Sequence, residues 1–315
     1  MLSIDIGGTK IAMAIISEQG EILARQTVPT LASEGPQPVI DRIFSGIDNL
    51  SEAGNVRPSQ LSAISMATAG VIDIRRNLVT TSPNLPGWEN VPLRSIVAEK
   101  YRIPVYLLND ADAAALGEHH FRTGRRLNTF IFLTLGTGIG GGIIIDGRLY
   151  LGSTGSAAEL GHMVIDVNGP PCPCGRHGCL EAMASGTAVA REAKNRIKRG
   201  AASALTEMVN GNIEKITGET VHTAADTGDE LAREVIDQAA FYLGVGVVNL
   251  VNIFNPEMVV IGGSMADMGD LLLQPVRRMV AESAFPIYAQ TVQIMPAQLG
   301  NDAGLFGAAI FALEQ

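Results

Sequence analysis

The chain has 315 residues, with 23 Lys and Arg against 32 Asp and Glu for a formal net charge of −9. Its 46% hydrophobic and 17% charged residues supply a large core and exclude an intrinsically disordered chain, and the length predicts about two domains. The acidic balance argues against holding nucleic acid or an anionic membrane by bulk electrostatics, and the longest apolar stretch, Ala239 to Val248, is about half of a membrane span. The start, MLSIDIGG, lacks the basic region of a signal peptide, so a cytoplasmic location is expected.

In chain order, LSIDI reads as a strand, GGTK as a glycine turn and IAMAIIS as a returning strand. After a turn at Glu18-Gln19-Gly20, EILARQTV makes a third strand. Ile40, Ile43, Phe44 and Ile47 recur at helical spacing and predict an amphipathic helix from Val39 to Leu50. LSAISMA predicts a buried strand ending at Thr68-Ala69-Gly70, and IPVYLL another that runs into Asn109-Asp110 and a helix over ADAAALGEHHF. TFIFLTL, the glycine turn GTGIGGG and the strand IIID then repeat the opening pattern, with GRLYLG starting a further strand. From Gly186 to Phe254 the pattern is mostly helical; Asn255-Pro256 stops it, and MVVIGGS is one more strand ending in glycines. Strands alternating with helices define an α/β class. The repeated unit predicts two related halves, with a boundary near residue 109.

The glycine loops are the first chemical signal. Asp5 is an acidic residue in an otherwise apolar strand, next to Gly7 and Gly8, and a buried carboxylate needs a partner such as a hydrated magnesium ion. Backbone N–H groups of Gly7 and Gly8 can approach a phosphate, with Thr9 and Lys10 adding a hydroxyl and a cation; the plain alternative is a hairpin turn. The second loop, Gly136-Thr137-Gly138-Ile139-Gly140-Gly141, matches G-x-G-x-x-G but continues as a strand, which removes a Rossmann dinucleotide site. Two hairpin loops that clasp a triphosphate remain. Gly262 and Gly263 would suit close packing against a base or ribose, or a simple strand-end turn.

Cys172, Cys174 and Cys179 fall within eight positions, ten residues after His162. Three thiolates and an imidazole make a closed tetrahedral zinc set, and a Cys172–Cys174 disulfide would strain so short a ring. His177 lies inside the same loop and competes as the fourth ligand. Glu159-x-x-His162 has no second copy, so a di-iron bundle is excluded. Asn109-Asp110, between a buried strand and a helix, reads either as an N-cap or as a general base for phosphoryl transfer.

Together these segments resemble the ROK family of bacterial sugar kinases. The matching residues are DIGGTK (5–10), ND (109–110), LGTGIGGG (135–142), AELGH (158–162), CPCGRHGCLE (172–181), VVIGGS (259–264) and the DAGLFGA tail (302–308), so the resemblance spans essentially the whole chain. It implies an actin/hexokinase-like (ribonuclease H-like) ATPase fold, with two α/β domains flanking a cleft. These would be 1–108 and 109–301, with a C-terminal helix at about 302–315 packing back on the first. It also implies Asp110 as the base for a sugar 6-hydroxyl, and Gly70, Asn84, Asn109, Asp110, Glu159, His162 and Glu181 as the sugar pocket. ATP would lie on Asp5, Gly7, Gly8, Thr9, Lys10, Gly136, Thr137, Gly138, Gly262 and Gly263. His162, Cys172, Cys174 and Cys179 would hold a structural Zn2+, and Mg2+ would accompany ATP. Ala158 stands where the family often has Gly. The implied activity is hexose 6-phosphorylation with glucose as the leading substrate. N-acetylmannosamine or N-acetylglucosamine is the alternative; a non-catalytic sugar sensor and an actin-like assembly ATPase are more distant. The family's repressors carry an N-terminal helix-turn-helix; a phosphate loop beginning at residue 4 favours the kinase branch. A homodimer is implied, with no nucleic-acid or membrane partner.

Overall fold

The computed structural model describes residues 1–74, 76–82, 84–121 and 127–315. The strands are β1 (Leu2–Ile6), β2 (Lys10–Ile16), β3 (Ile22–Pro29), β4 (Ile64–Thr68), β5 (Val71–Asp73), β6 (Leu78–Thr81), β7 (Glu89–Val91), β8 (Val105–Asn109), β9 (Phe130–Leu135), β10 (Ile139–Ile145), β11 (Arg148–Leu149), β12 (Met258–Gly262) and β13 (Gln293–Pro296). The helices are α1 (Pro36–Ala53), α2 (Leu93–Tyr101), α3 (Asp110–Phe121), α4 (Leu180–Ala184), α5 (Gly186–Lys198), α6 (Leu205–Met208), α7 (Gly218–Asp226), α8 (Glu230–Phe254), α9 (Asp270–Ser283), α10 (Pro286–Ala289) and α11 (Ala303–Leu313).

Two compact units divide the chain. One comprises Met1–Arg126, Gly142–Ala158 and Leu299–Gln315; the other comprises Leu127–Gly141 and Glu159–Gln298. The first unit is built on a sheet ordered β3-β2-β1-β4-β8, in which β1, β2 and β3 pair antiparallel and β4 and β8 add in parallel. The second main sheet has the same plan, β11-β10-β9-β12-β13, with β9, β12 and β13 parallel. The repeat visible in the sequence is therefore one sheet plan used twice.

Strand β2 shows why its sequence is apolar throughout. Ile11, Met13 and Ile15 join the core that holds Ile43 and Ile47 of α1, whereas Ala12, Ala14 and Ile16 cluster with Leu305 and Ala309 of α11. Both faces are covered, so alternation disappears. The alanines on the second face leave room for α11, which approaches closely. A Cβ on Gly117 of α3 would lie 2.5 Å from the Ala303 carbonyl oxygen, and one on Gly307 would collide with that of Ala113. Buried Ser3 fastens the contact by donating from Oγ to the Leu305 carbonyl at 2.5 Å.

In the second unit α8 is the central helix, packed against α4 and α9. Among the described residues it alone is long and apolar enough to cross a membrane by length and composition, and more than half of it is buried inside the protein as a core helix. Asn255 ends it in the left-handed conformation (φ 45°), as the Asn-Pro stop predicts.

One sequence expectation needs adjustment. The turn after β9 contains only Gly136, Thr137 and Gly138, and Gly140 to Gly142 lie within β10. These glycines serve packing. A Cβ on Gly141 would lie 2.6 Å from the Leu160 side chain, and one on Gly142 would lie 3.1 Å from the Ala111 carbonyl oxygen.

Candidate active site

In the first unit, alternation along β1 puts Ser3 and Asp5 on the face that meets α11. The first turn of α11 closes over Asp5 so tightly that a Cβ on Gly304 would lie 2.7 Å from Oδ2. The Asp5 carboxyl is pushed from 3.8 up to about 7, by burial first and then by the negative charge of Asp110, with Lys10 pulling the other way. The loop that follows is a tight hairpin. Gly7 N–H donates to the Lys10 carbonyl (3.0 Å), Thr30 Oγ1 donates to the Gly7 carbonyl (2.6 Å), and Thr9 and Lys10 are exposed. Asn84 lies against this loop, since a Cβ on Gly8 would be 2.9 Å from its carbonyl oxygen.

Asn109 organises the neighbouring junction. Its Oδ1 accepts from the backbone N–H groups of Ala111 (2.8 Å) and Asp112 (3.3 Å), capping α3. Its Nδ2 donates to the Gly70 carbonyl at 2.9 Å. Gly70 itself has φ +115°, and a Cβ there would be 2.8 Å from Ser82 Cα, so both conformation and space demand glycine. Asp110 is half-buried at the first turn of α3, where Oδ1 accepts from Ala111 N–H at 2.9 Å. Asn109 caps the helix, which is the first of the two readings of the pair, and Asp110 is the carboxylate within electrostatic reach of Asp5.

In the second unit the Gly136–Gly138 loop borders a cavity of about 1110 Å³. Gly136, Thr137, Gly186, Thr187, Thr217 and Ser264 line it, together with Lys194 and Lys198 of α5. Glu214 accepts from Lys198 Nζ at 2.8 Å, and its carbonyl accepts from Lys194 Nζ at 2.8 Å, joining two walls of the cavity. Gly263, at φ +83°, turns the chain against the Leu135 carbonyl and delivers Ser264 to the cavity. Gly262 is the buried end of β12, where a Cβ would lie 2.9 Å from Ala297 Cβ. Sequence reading singled out the two glycine loops but missed the α5 and α7 lining. Gly186-Thr187 and Thr217-Gly218, each a small or hydroxyl pair at a helix start, were the available signal.

The candidate metal-ligand set also lies in the second unit. His162, Cys172, Cys174 and Cys179 each bring a ligand atom within 4.8 Å of all the others. Cys172 Sγ is 3.5 Å from His162 Nδ1, and Cys174 Sγ is 3.6 Å from Cys179 Sγ. The loop closes on itself: Cys172 N–H donates to the Arg176 carbonyl (2.8 Å), and Gly178 N–H to that of Pro170 (2.9 Å). His177 is exposed and turned to the Gly169 carbonyl at 3.3 Å, outside the cluster.

Burial pushes the Cys172 thiol up to about 12 and raises that of Cys179. At Cys174 the same upward push is outweighed by hydrogen bonds from the Arg176 backbone and side chain and from the neighbouring thiols, and the thiol falls to about 6. Three sulfurs and one imidazole nitrogen at this spacing fit a tetrahedral zinc ion, whose charge would favour all three thiolates.

His162 has two faces. Nδ1 points to Cys172, and Nε2 is 4.0 Å from Glu159 Oε2. Glu181, at the start of α4, accepts from Ile139 N–H at Oε2 (2.9 Å), with Oε1 3.9 Å from Cys172 Sγ. Ala158, immediately before Glu159, is held at φ 63°, which explains why glycine suits this position.

The doubled sheet plan, each copy with a glycine hairpin between its first two strands, defines an actin/hexokinase-like ATPase fold. The chain belongs to the ROK family, which it matches over residues 1–315. It is 38% identical to a glucokinase of Thermotoga maritima, over 100% of this chain and 98% of that protein. The crystal structure of a ROK family glucokinase from Streptomyces griseus in complex with glucose and AMPPNP superposes with a TM-score of 0.86 at 36% identity, covering 100% and 99% of the two chains. A xylose repressor of Caldicellulosiruptor bescii is 34% identical, over 98% of this chain and 76% of its own.

Proposed function

We propose that the protein is an ATP-dependent hexose 6-kinase that converts glucose to glucose 6-phosphate. The observation that carries this reading is Asp110, a carboxylate presented at the head of a capped helix in the unit that holds the first glycine loop. A sugar-binding regulator needs no such base. The full-length similarity to glucokinases supports the same choice.

In this mechanism Asp110 accepts the proton of the sugar 6-hydroxyl as its oxygen attacks the γ-phosphorus of ATP in line. Asn109 fixes the first turn of α3, and with it the Asp110 backbone, while holding the Gly70 loop. Gly70, Asn84, Asn109, Glu159, His162 and Glu181 bind the sugar hydroxyls. The 7–10 hairpin and the Gly136–Gly138 loop hold the phosphates through backbone N–H groups, and the cavity beside Thr137 and Ser264 takes the nucleoside. Magnesium bound with ATP would supply charge neutralisation of the phosphates, and Asp5 fits its hydration shell because a half-buried carboxylate beside Asp110 gains from a cation. His162, Cys172, Cys174 and Cys179 would hold a structural zinc ion, which would supply rigidity to this loop, while His162 Nε2 faces Glu159 at 4.0 Å. The working form is a cytoplasmic homodimer.

The test is ADP release with MgATP against glucose, mannose, N-acetylglucosamine and N-acetylmannosamine. Glucose-dependent turnover is expected. A preference for an N-acetyl sugar would move the substrate while keeping the mechanism, and no turnover with any sugar would overturn the kinase reading.

A further inference from the structure

Three hydrogen bonds among the described residues tie the second glycine loop and the start of β10 to one neighbouring segment, residues 181–187. Gly186 N–H donates to the Gly136 carbonyl (2.8 Å), Thr187 Oγ1 donates to the Thr137 carbonyl (2.7 Å), and Ile139 N–H donates to Glu181 Oε2 (2.9 Å). Only the last bond involves a charged group, and charge-assisted bonds are roughly twice as strong as neutral ones. The fit around it is close: a Cβ on Gly138 would collide with that same carboxylate oxygen. The carboxylate is thus wedged between the end of the loop and Cys172 Sγ, and Glu181 follows the ligand Cys179 by two residues.

We infer that Glu181 is a positioning residue for the Gly136–Gly138 loop, setting the loop's conformation for the nucleotide before any sugar is bound. The inference rests on reading that loop as part of the nucleotide site. The Glu181 carboxylate caps the first N–H of β10, which fixes where the turn ends, while inside the turn Gly136 N–H donates to the Gly138 carbonyl at 2.9 Å. A role confined to the sugar would leave the nucleotide site of the sugar-free protein unchanged.

The test uses the full chain without sugar. Hydrogen exchange of the 136–141 segment is followed by mass spectrometry in the wild type, Glu181→Ala and Glu181→Gln. Binding of magnesium AMPPNP is followed by calorimetry, and zinc content is measured alongside. Glu181→Ala is expected to speed exchange at Ile139 and to weaken nucleotide binding about ten-fold with zinc retained, while Gln, which keeps an acceptor oxygen, restores both to within about three-fold. Wild-type exchange and affinity in the folded, sugar-free Ala variant would overturn the inference. Should that variant fail to fold, Glu181→Asp draws the oxygens back by one methylene and is expected to show the same loss. A wild type that binds no nucleotide would sink the kinase reading, and the exchange data would still decide the role of Glu181.

Discussion

Asp5→Asn tests whether the first unit holds its carboxylate against the preference of the fold. Burial, and then the charge of Asp110, move the Asp5 carboxyl from 3.8 to about 7. A displacement of that size corresponds to about 4 kcal/mol, and solvent reaching this half-buried group reduces the expected effect to about 2 kcal/mol. The folded value lies above the unfolded one, so the folded state binds the proton more tightly. Stability is therefore lost as pH rises from about 4 through about 7, and the full cost is present above that window. The amide carries no charge and removes this component. Thermal melts in magnesium- and nucleotide-free buffer should show equal stability near pH 4 and, at pH 8, an advantage of several degrees for Asp5→Asn. A gap between the two proteins that does not change with pH would refute the reasoning, as would a less stable variant at pH 8.

Four further outcomes are expected. Asp110→Asn keeps the shape of the α3 terminus, so the protein should fold and bind glucose while turnover in the ADP-release assay falls about 10²–10⁴-fold. Ala158→Gly relieves a side chain held at φ 63° and should raise stability by about 0.5–1 kcal/mol in denaturant titrations, because the strain removed exceeds the entropy that glycine adds to the unfolded chain. One zinc ion per chain is expected by native mass spectrometry, and Cys172→Ala, or a strong chelator, should abolish it and lower the melting temperature, with proteolysis appearing first in the 163–179 loop. Lys198→Ala removes an exposed ion pair with Glu214 and should leave the melting temperature essentially unchanged in the same melts.

The features legible in the sequence are those made by neighbours along the chain. The hairpin β1–β2 turns where Gly7-Gly8-Thr9 stand, and the three cysteines gather because Gly175 and Gly178 let a short loop close on itself. Asn109 caps α3 from the adjoining position. His162 against His177 was not legible, because both are near enough in sequence to reach the sulfurs. Backbone pairing of Pro171 with His177 turns the latter to the Gly169 carbonyl instead.

By itself, then, the sequence determined the α/β class, the doubled strand–glycine–strand unit, the three-cysteine cluster and the family. Each is written in local periodicity or in residue types at short spacing. Tertiary structure alone decided that the first turn of α11 closes over Asp5, and that the cavity draws its walls from residues 136–137, 186–226 and 264–268. It also decided that the carboxylate of Glu181 caps Ile139. The physical reason is common to all three. They arise from packing between segments tens to hundreds of residues apart, where glycine and alanine act by the volume they leave empty.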